Sequence, residues 1–334
     1  MKDRINTRRR ILLKSVASVP LLGFSISNLA FAQEADFPRR PVKLLVPFVA
    51  GGGADLSARI VGQKLSAIWG QSVVVENVGG AGGNIGAAAA AKAPADGYTL
   101  FVPSGSIFTV NPHLYKSLPF DPNKDFAPIT KLISGPHVLV VGNSFPANTL
   151  KEFIALIKAN PGKYNFASAG VGSQVHMAAE QFLYAAGIEA THIPYKGEGA
   201  IYPDIVSGQV HFALGNASVV TGQVSTGRVR AIAVTSLTRS AALPSVPSMA
   251  ESGLDGFENL AWFGLMAPGK TPSGIMEKIY RDTARALNDP DVKARFQKMG
   301  VETVGNTPAA FANEIRAESD NWKKVVTGRK LSVS

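Results

Sequence analysis

Apolar and polar positions along the chain repeat one unit: a short apolar run, a glycine-rich loop, then apolar residues at helical spacing. Residues 43–48 read as a buried strand and run into Gly51, Gly52 and Gly53. A helix opens at about Asp55, with Leu56, Ile60, Val61, Leu65 and Ile68 on one face and Gly70 as its stop. Residues 72–76 form a second strand. The loop ENVGGAGGNIG (76–86) then opens an alanine-rich helix to about Ala93, and residues 98–102 are a third strand ahead of Pro103-Ser104-Gly105-Ser106. Residues 117–129 hold three prolines without periodicity and read as a surface connection.

The pattern resumes with a strand at 138–141. Thr149 and Glu152 have capping-box spacing before a helix carrying Phe153, Ile154, Leu156 and Ile157. A strand at 164–168 meets SAGVGSQVH (168–176), where glycines again precede a helix. Further strands are expected at 191–195, 211–214 and 229–236, with Lys196-Gly197-Glu198-Gly199 opening a helix to about Val206. Residues 239–258 are loop-rich and 259–266 return as a strand. Helices at 272–288, 290–299 and 307–326 close the chain; the last places Phe311, Ile315, Trp322 and Val326 on one face. The alternation predicts an α/β fold with two mainly parallel sheets flanked by helices. Two lobes are expected, residues 33–136 with 257–334 and residues 137–256, with a hinge at the two crossings and a ligand between them.

Charge changes the picture little. The chain has 334 residues, a pI near 9.7 and a net charge of +10. Half of that excess comes from Lys2, Arg4, Arg8, Arg9, Arg10 and Lys14 against Asp3. The remainder is scattered, with no basic stripe carrying interleaved aromatics, so nucleic acid is not an expected partner. Residues 1–32 read as an export signal: a twin-arginine-like Arg9-Arg10, an apolar stretch interrupted by Pro20, and Ala30-Phe31-Ala32 as a cleavage site before Gln33. The chain has no cysteine, which excludes thiol chemistry and disulfides.

The candidate chemistry lies in the glycine loops. The first N–H groups of a helix lack intrahelical partners and carry the positive end of its dipole, so a loop without side chains can bring an anion to them. The bland alternative is a turn that needs glycine for positive φ. Loops 50–55 and 168–173, one in each expected lobe, could clamp one carboxylate from both sides. Ser168 and Ser173 add hydroxyls, and Ser173 could equally be an N-cap. Basic residues nearby are few (Arg59, His176), so neutral donors and bound water are expected to hold the anion. Asp55 fits helix capping. Trp262 and Phe263 read as strand core, with a cleft wall as the alternative; Tyr195-Lys196-Gly197 could face ligand or be an ordinary turn.

Residues 264–271 spell G-x-x-x-x-G-K-T, the P-loop expression, yet Pro268 and Pro272 oppose a phosphate cradle. Thr271 as N-cap with Pro272 opening a helix accounts for the same letters. There is no G-x-S-x-G or H-E-x-x-H, and the five histidines show no metal spacing. No cofactor or metal is expected. A secreted α/β enzyme acting on a small carboxylate compound is the alternative class.

Eight segments in order (VPFVAGGGADLSAR, VVVENVGGAGGNIG, AKAPADGYTLF, LYKSLPFDPNKDFAPI, YNFASAGVGSQVHMAAE, HIPYKGEGA, VRAIAVTSLTRSAALPSVPSMAESG and WFGLMAPGKTP) resemble the solute receptors of tripartite tricarboxylate transporters, the Bug-type periplasmic binding proteins. The resemblance spans residues 36–326. It implies a two-lobed type II periplasmic-binding fold and a small carboxylate ligand, without catalysis. Main-chain contacts would fall on Phe48, Gly52, Ala54 and Asp55, and on Ser168, Ala169, Gly170 and Ser173, with two ordered waters. Ser104, Ser106 and Tyr195 are looser transfers. Membrane transporter subunits or a sensor kinase are the implied partners of a periplasmic monomer. Two departures stand out. Where the family often has an acidic residue after the 211–214 strand, this chain has Gly215-Asn216, which weighs against an amino-acid ligand. The tail also reads Thr327-Gly328-Arg329-Lys330 in place of a Gly-Ile-Lys-type ending.

Overall fold

Strand β1 (Val42–Val46) lies between β2 (Val73–Asn77) and β3 (Thr99–Phe101), parallel to both. Helices α1 (Gly53–Trp69) and α2 (Asn84–Ala91) make the crossovers, as parallel neighbours require. In α1 the apolar stripe buries Ala58, Ile60, Val61 and Leu65 against the sheet, and Gly70 ends the helix in the left-handed conformation. Short helices α3 (Ser106–Thr109) and α4 (Asn111–Leu114) follow. The structure is a computed structural model that describes residues 37–328 and 331–332. The export-signal reading of residues 1–32 lies outside the described residues.

Strand β4 (Phe126–Gly142) differs from the expected loop and short strand: it is one strand of 17 residues. Pro119, Pro122, Pro128, Gly135 and Pro136 hid it in the sequence. Pro128 sits at a register shift, where a missing N–H costs the ladder least. Up to Pro136, β4 pairs antiparallel with β9 (Leu260–Pro268); beyond it, antiparallel with β7 (Phe212–Asn216) and β8 (Val229–Val234). β5 (Asn165–Ser168) and β6 (Thr191–Pro194) extend the second sheet in parallel with β7. The strand path is β2-β1-β3-β9-β4-β7-β5-β6, with β8 and β10 (Glu302–Thr303) added on β4. The sheets are therefore mixed, parallel at their outer strands and antiparallel around β4 and β9.

Helices α5 (Leu150–Ala159), α6 (Gln174–Ala186), α7 (Tyr202–Ser207) and α8 (Ala217–Ser225) cover the second sheet; α9 (Ser273–Leu287), α10 (Pro290–Lys298) and α11 (Pro308–Gly328) return to the first. Thr149 caps α5 by accepting from the Glu152 N–H, as the capping box predicts. The second core holds Leu139, Val141, Phe153, Phe166, Phe182 and Phe212, with Phe153 edge-on to Phe212 at 5.0 Å. Each such ring contributes roughly 1.5–3 kcal/mol by burial.

The two crossings are stitched together. Thr235 donates its N–H to the His137 carbonyl and accepts the His137 N–H on its hydroxyl, while its own carbonyl accepts from Asn259 N–H. His137 is buried here, which pushes its pKa down to about 4. Burial also holds His176 at about 3 and His192 at about 4; their rings stack at 4.0 Å.

Unfolded histidine titrates at ~6.5, so between that pH and about 4 the unfolded chain binds protons that the folded chain excludes. Their contribution to stability is present above the unfolded value and lost on acidification. Glu198, raised by burial to about 7, opposes this with one proton: its share is lost as pH rises through that value. Stability in urea should therefore rise with pH between about 4.5 and 6.5. His137→Leu should flatten the slope by up to ~1.4 kcal/mol per pH unit. A slope unchanged by that substitution would mean that His137 does not stay neutral in the fold.

Candidate functional site

Three helices begin at the carboxyl ends of parallel-paired strands or of β7, and their N-cap residues meet. Gly52 caps α1, Ser173 caps α6 and Asn216 caps α8. All three line one small cavity between the lobes, together with Phe48, Ala54, Ser104, Ala169, Glu198 and Phe263. Neither Gly52 nor Asn216 caps its helix with a side chain, so the first-turn N–H groups of α1 and α8 keep their donor capacity. Ser173 Oγ accepts the His176 N–H at 3.2 Å, which leaves its own proton to donate. Three positive helix ends converging on one point favour an anion without any Lys or Arg in the lining.

The three consecutive glycines do different work. Gly51 has φ +85° and donates its N–H to Asp55 at 3.0 Å. Gly53 packs so tightly that a Cβ there would lie 2.5 Å from the Phe263 ring. Gly52 has ordinary φ, and a Cβ would meet Glu198 at a tolerable 3.7 Å. On the opposite lobe Gly170 has φ +114°, and a Cβ would come 3.0 Å from the Gly82 nitrogen. Loops 50–53 and 79–83 thus touch loops 169–172 and 196–199 through backbone. Tyr115 adds a hydroxyl bond to the Val171 carbonyl at 2.8 Å.

Of the site residues proposed from the sequence, Phe48, Gly52, Ala54, Ser104, Ala169 and Ser173 line the cavity; Asp55, Ser106, Ser168, Gly170 and Tyr195 do not. The Asp55 carboxylate turns back to Gly51 and to Arg59, 3.0 Å away. Burial raises its pKa, but the hydrogen bonds from Arg59 and Gly51 outweigh that and lower it. Ser106 contacts Ser104 Oγ at 3.3 Å and faces a larger groove of about 880 Å³, to which Gln174 also belongs. Ser168 Oγ bonds His192 at 2.6 Å and the Gly170 N–H at 3.1 Å. Gly170 lies behind the lining and spaces the lobes. Tyr195 gives its hydroxyl to Asp204, and burial with that carboxylate pushes its pKa up to about 12.

The lining also holds Gly53 of the first glycine loop, and four residues to which the pattern gave no ligand role: Gln174, Val175, Glu198 and Asn216. Helix α8 went unread, although Asn216 is a capping letter and Gly227 a stop. Glu198 supplies a carboxyl at the very place where the family resemblance suggested that an acidic group was missing. It is buried, accepts from Tyr202 Oη at 2.8 Å and from the Asn216 N–H at 2.7 Å, and burial pushes its pKa up to about 7. Phe263 is a wall of the cavity, whereas Trp262 packs on Phe311 and donates to Glu318 at 2.6 Å.

The P-loop letters form no loop. Gly264 sits inside β9, where a Cβ would be 2.5 Å from Phe311. Thr271 Oγ1 donates to the Pro268 carbonyl at 2.7 Å; the N-cap of α9 is Pro272, one residue later than expected.

A two-lobed α/β fold whose helix N-termini surround an interlobe cavity is the architecture of a solute-binding protein. Residues 57–331 match the tripartite tricarboxylate transporter family receptor, and the chain belongs to that family. It is 38% identical to protein BugT of Bordetella pertussis (strain Tohama I) over 309 residues, 91% of this chain and 95% of BugT. Among solved structures it is similar to periplasmic binding protein BugD (TM-score 0.86, 34% identity, 89% of this chain and 100% of that one). It is equally close to R. palustris Rpa4515 with adipate (TM-score 0.86, 32% identity, 89% and 100%). MatC of Rhodopseudomonas palustris with bound malate has a TM-score of 0.83 at 31% identity, covering 87% and 100%. These likenesses confirm the two-lobed periplasmic-binding fold.

The glycine geometry predicts unequal costs. Gly170→Ala should destabilise by more than ~1 kcal/mol, because strained φ and a backbone contact act together. Gly52→Ala and the exposed Lys270→Ala should stay within about 0.5 kcal/mol. Urea melts of the three variants check this, and ATP binding lost in Lys270→Ala would overturn the reading of β9.

Proposed function

We propose that this chain is a periplasmic receptor that captures a small organic acid in the interlobe cavity and performs no chemistry on it. The observation that carries the reading is the convergence of three helix N-termini, two without side-chain caps, on a cavity whose lining holds no Lys or Arg. The adipate and malate bound by two related proteins support a carboxylate ligand. One carboxylate would accept from the first turn of α1, at Ala54 and Asp55, and from Ser173 on the other lobe. Ser168, Ala169 and Gly170 would shape that second loop, and Ser104, Ser106 and Tyr195 its surroundings. The cavity, about 20 Å³, has room for one water, so entry of a diacid requires the lobes to part. The stitched crossings at His137, Thr235 and Asn259 would serve as the hinge of that motion, between a lobe of residues 33–136 with 257–334 and a lobe of residues 137–256. The chain would act as a monomer, delivering its ligand to membrane transporter subunits or reporting it to a sensor kinase.

Native mass spectrometry of the purified protein should show a retained small acid. Calorimetry with adipate, malate and succinate should show binding of at least one. Gly52→Val should crowd the α1 terminus, and Gly170→Val should hold the lobes apart; each should lose most affinity while still folded. Ser173→Ala should lose ~1–3 kcal/mol. If both folded glycine variants bind as wild type does, the cavity is not the site. Turnover of carboxylate esters or amides that disappears with a cavity substitution would favour a secreted enzyme.

Residues 1–32 are proposed to direct export, with cleavage before Gln33. Replacing Arg9 and Arg10 together by Lys should leave precursor in the cytoplasm if the route is twin-arginine. Unchanged periplasmic yield would overturn the twin-arginine route and leave export itself standing.

A further inference from the structure

One wall of the cavity is a chain of three polar side chains on three elements. The Glu198 carboxyl accepts from Asn216 twice: the backbone N–H reaches Oε1 at 2.7 Å, and the side-chain Nδ2 reaches Oε2. Tyr202 Oη donates to Oε1 at 2.8 Å. Asn216 Oδ1 in turn accepts from Gln174 Nε2 at 3.0 Å. Glu198, Asn216 and Gln174 all line the cavity, and Gln174 also lines the larger groove. Asn216 would ordinarily cap α8 with its side chain, but here that side chain is committed to Glu198 and Gln174 instead.

We propose that Glu198 is a positioning residue that sets, through Asn216, whether Gln174 offers the ligand an acceptor or a donor. An ionised carboxylate can only accept. It therefore orients the Asn216 amide with its NH₂ toward Glu198 and its oxygen toward Gln174. Gln174 must then spend one N–H of its NH₂ on Asn216, which turns its oxygen away from Asn216 as the acceptor. A protonated Glu198 has one O–H to give. The Asn216 amide then reverses to accept it, and its NH₂ turns to the Gln174 oxygen. Gln174 is left with its NH₂ free for the ligand. The two amides flip in place, since oxygen and nitrogen ends have the same shape.

The groups around Glu198 leave this proton under local control. Tyr202 is the titratable side chain in direct contact, and burial beside Glu198 raises its phenol well above the usual range, so it stays neutral. From the other lobe Gly52, Gly53 and Phe263 face the cavity without charge. Charged side chains of the flanking elements are engaged or outward: Asp55 with Arg59, Asp204 with Tyr195, and Lys196 exposed. The value near 7 places the change within the range a periplasm experiences.

The consequence for ligand choice rests on the reading that this cavity takes a carboxylate. Such a ligand only accepts, so it is served by the donor state and repelled by an ionised Glu198. Its binding should take up a proton. A ligand carrying a hydroxyl or ammonium beside its carboxylate would instead favour the acceptor state and bind better at higher pH.

The first test needs no ligand. In Asn- and Gln-labelled protein, the side-chain amide resonances of Asn216 and Gln174, assigned with Gln174→Ala, should move together with one midpoint near pH 7. Tyr202→Phe, which removes a donor from the carboxylate, should raise that midpoint. Glu198→Gln, a permanent donor of the same shape, should abolish the transition. Amides that do not titrate, or that still do so in Glu198→Gln, overturn the relay.

The second test is calorimetric titration with adipate from pH 5.5 to 8.5. Wild type should weaken by up to about tenfold per pH unit above the midpoint, and Glu198→Gln should be flat. Titrating amides with a flat adipate profile would overturn the influence on the ligand. Adipate, malate and succinate all failing to bind, with the amides still titrating, would count against the carboxylate reading and leave the relay standing.

Discussion

An α-helix begins with N–H groups that nothing in the helix can satisfy, and this molecule assembles three such beginnings around one point. That constraint explains much of the chemistry nearby. Gly51 permits a turn that side chains resist, Gly53 lets α1 start against Phe263, and Gly170 lets the facing loop rest on Gly82. A basic side chain at the centre would neutralise an anion more strongly, but it would also bind any anion of the right charge. Backbone donors at fixed positions discriminate by shape. The Asp55–Arg59–Asn77 chain, in which Asn77 donates to the Phe48 carbonyl at 3.0 Å, holds the first loop in place without contributing a charge to the lining.

The parts of the fold legible in the sequence were those governed by local rules. The α1 stripe from Leu56 to Ile68, the Thr149–Glu152 capping box and the glycine loops all follow from periodicity and capping chemistry. The long β4 strand did not show, because its prolines and Gly135 break the alternation while tertiary partners on both sides restore the pairing. Helix α8 was too short and too mixed in character to declare itself between two strands.

For the site, the sequence pointed to the two loops that bring backbone to the cavity. It could not tell which residues of each loop face inward. Ser168 and Tyr195 carry the same kinds of hydroxyl as Ser173, yet His192 and Asp204 take them up. Glu198 was in plain view in a quoted motif. Its place beside Asn216 depends on a contact between elements 18 positions apart, which periodicity does not encode.

The chain order, in which the strands of the second sheet come between β3 and β9, has a consequence for how the chain comes to be folded. The second sheet is built from a continuous stretch, β4 through β8, and has all its strands once that stretch has been made. The first half of β4 has no such fortune: its neighbour β9 is synthesised only after β5 to β8. Until then Phe126, Ile129, Leu132 and Ile133, all buried in the finished protein, have no sheet to enter. Long-range strand pairing of this kind is slow and leaves an apolar edge open in the meantime. The same strand that couples the lobes in the native state is thus the segment most in need of protection while the chain is young.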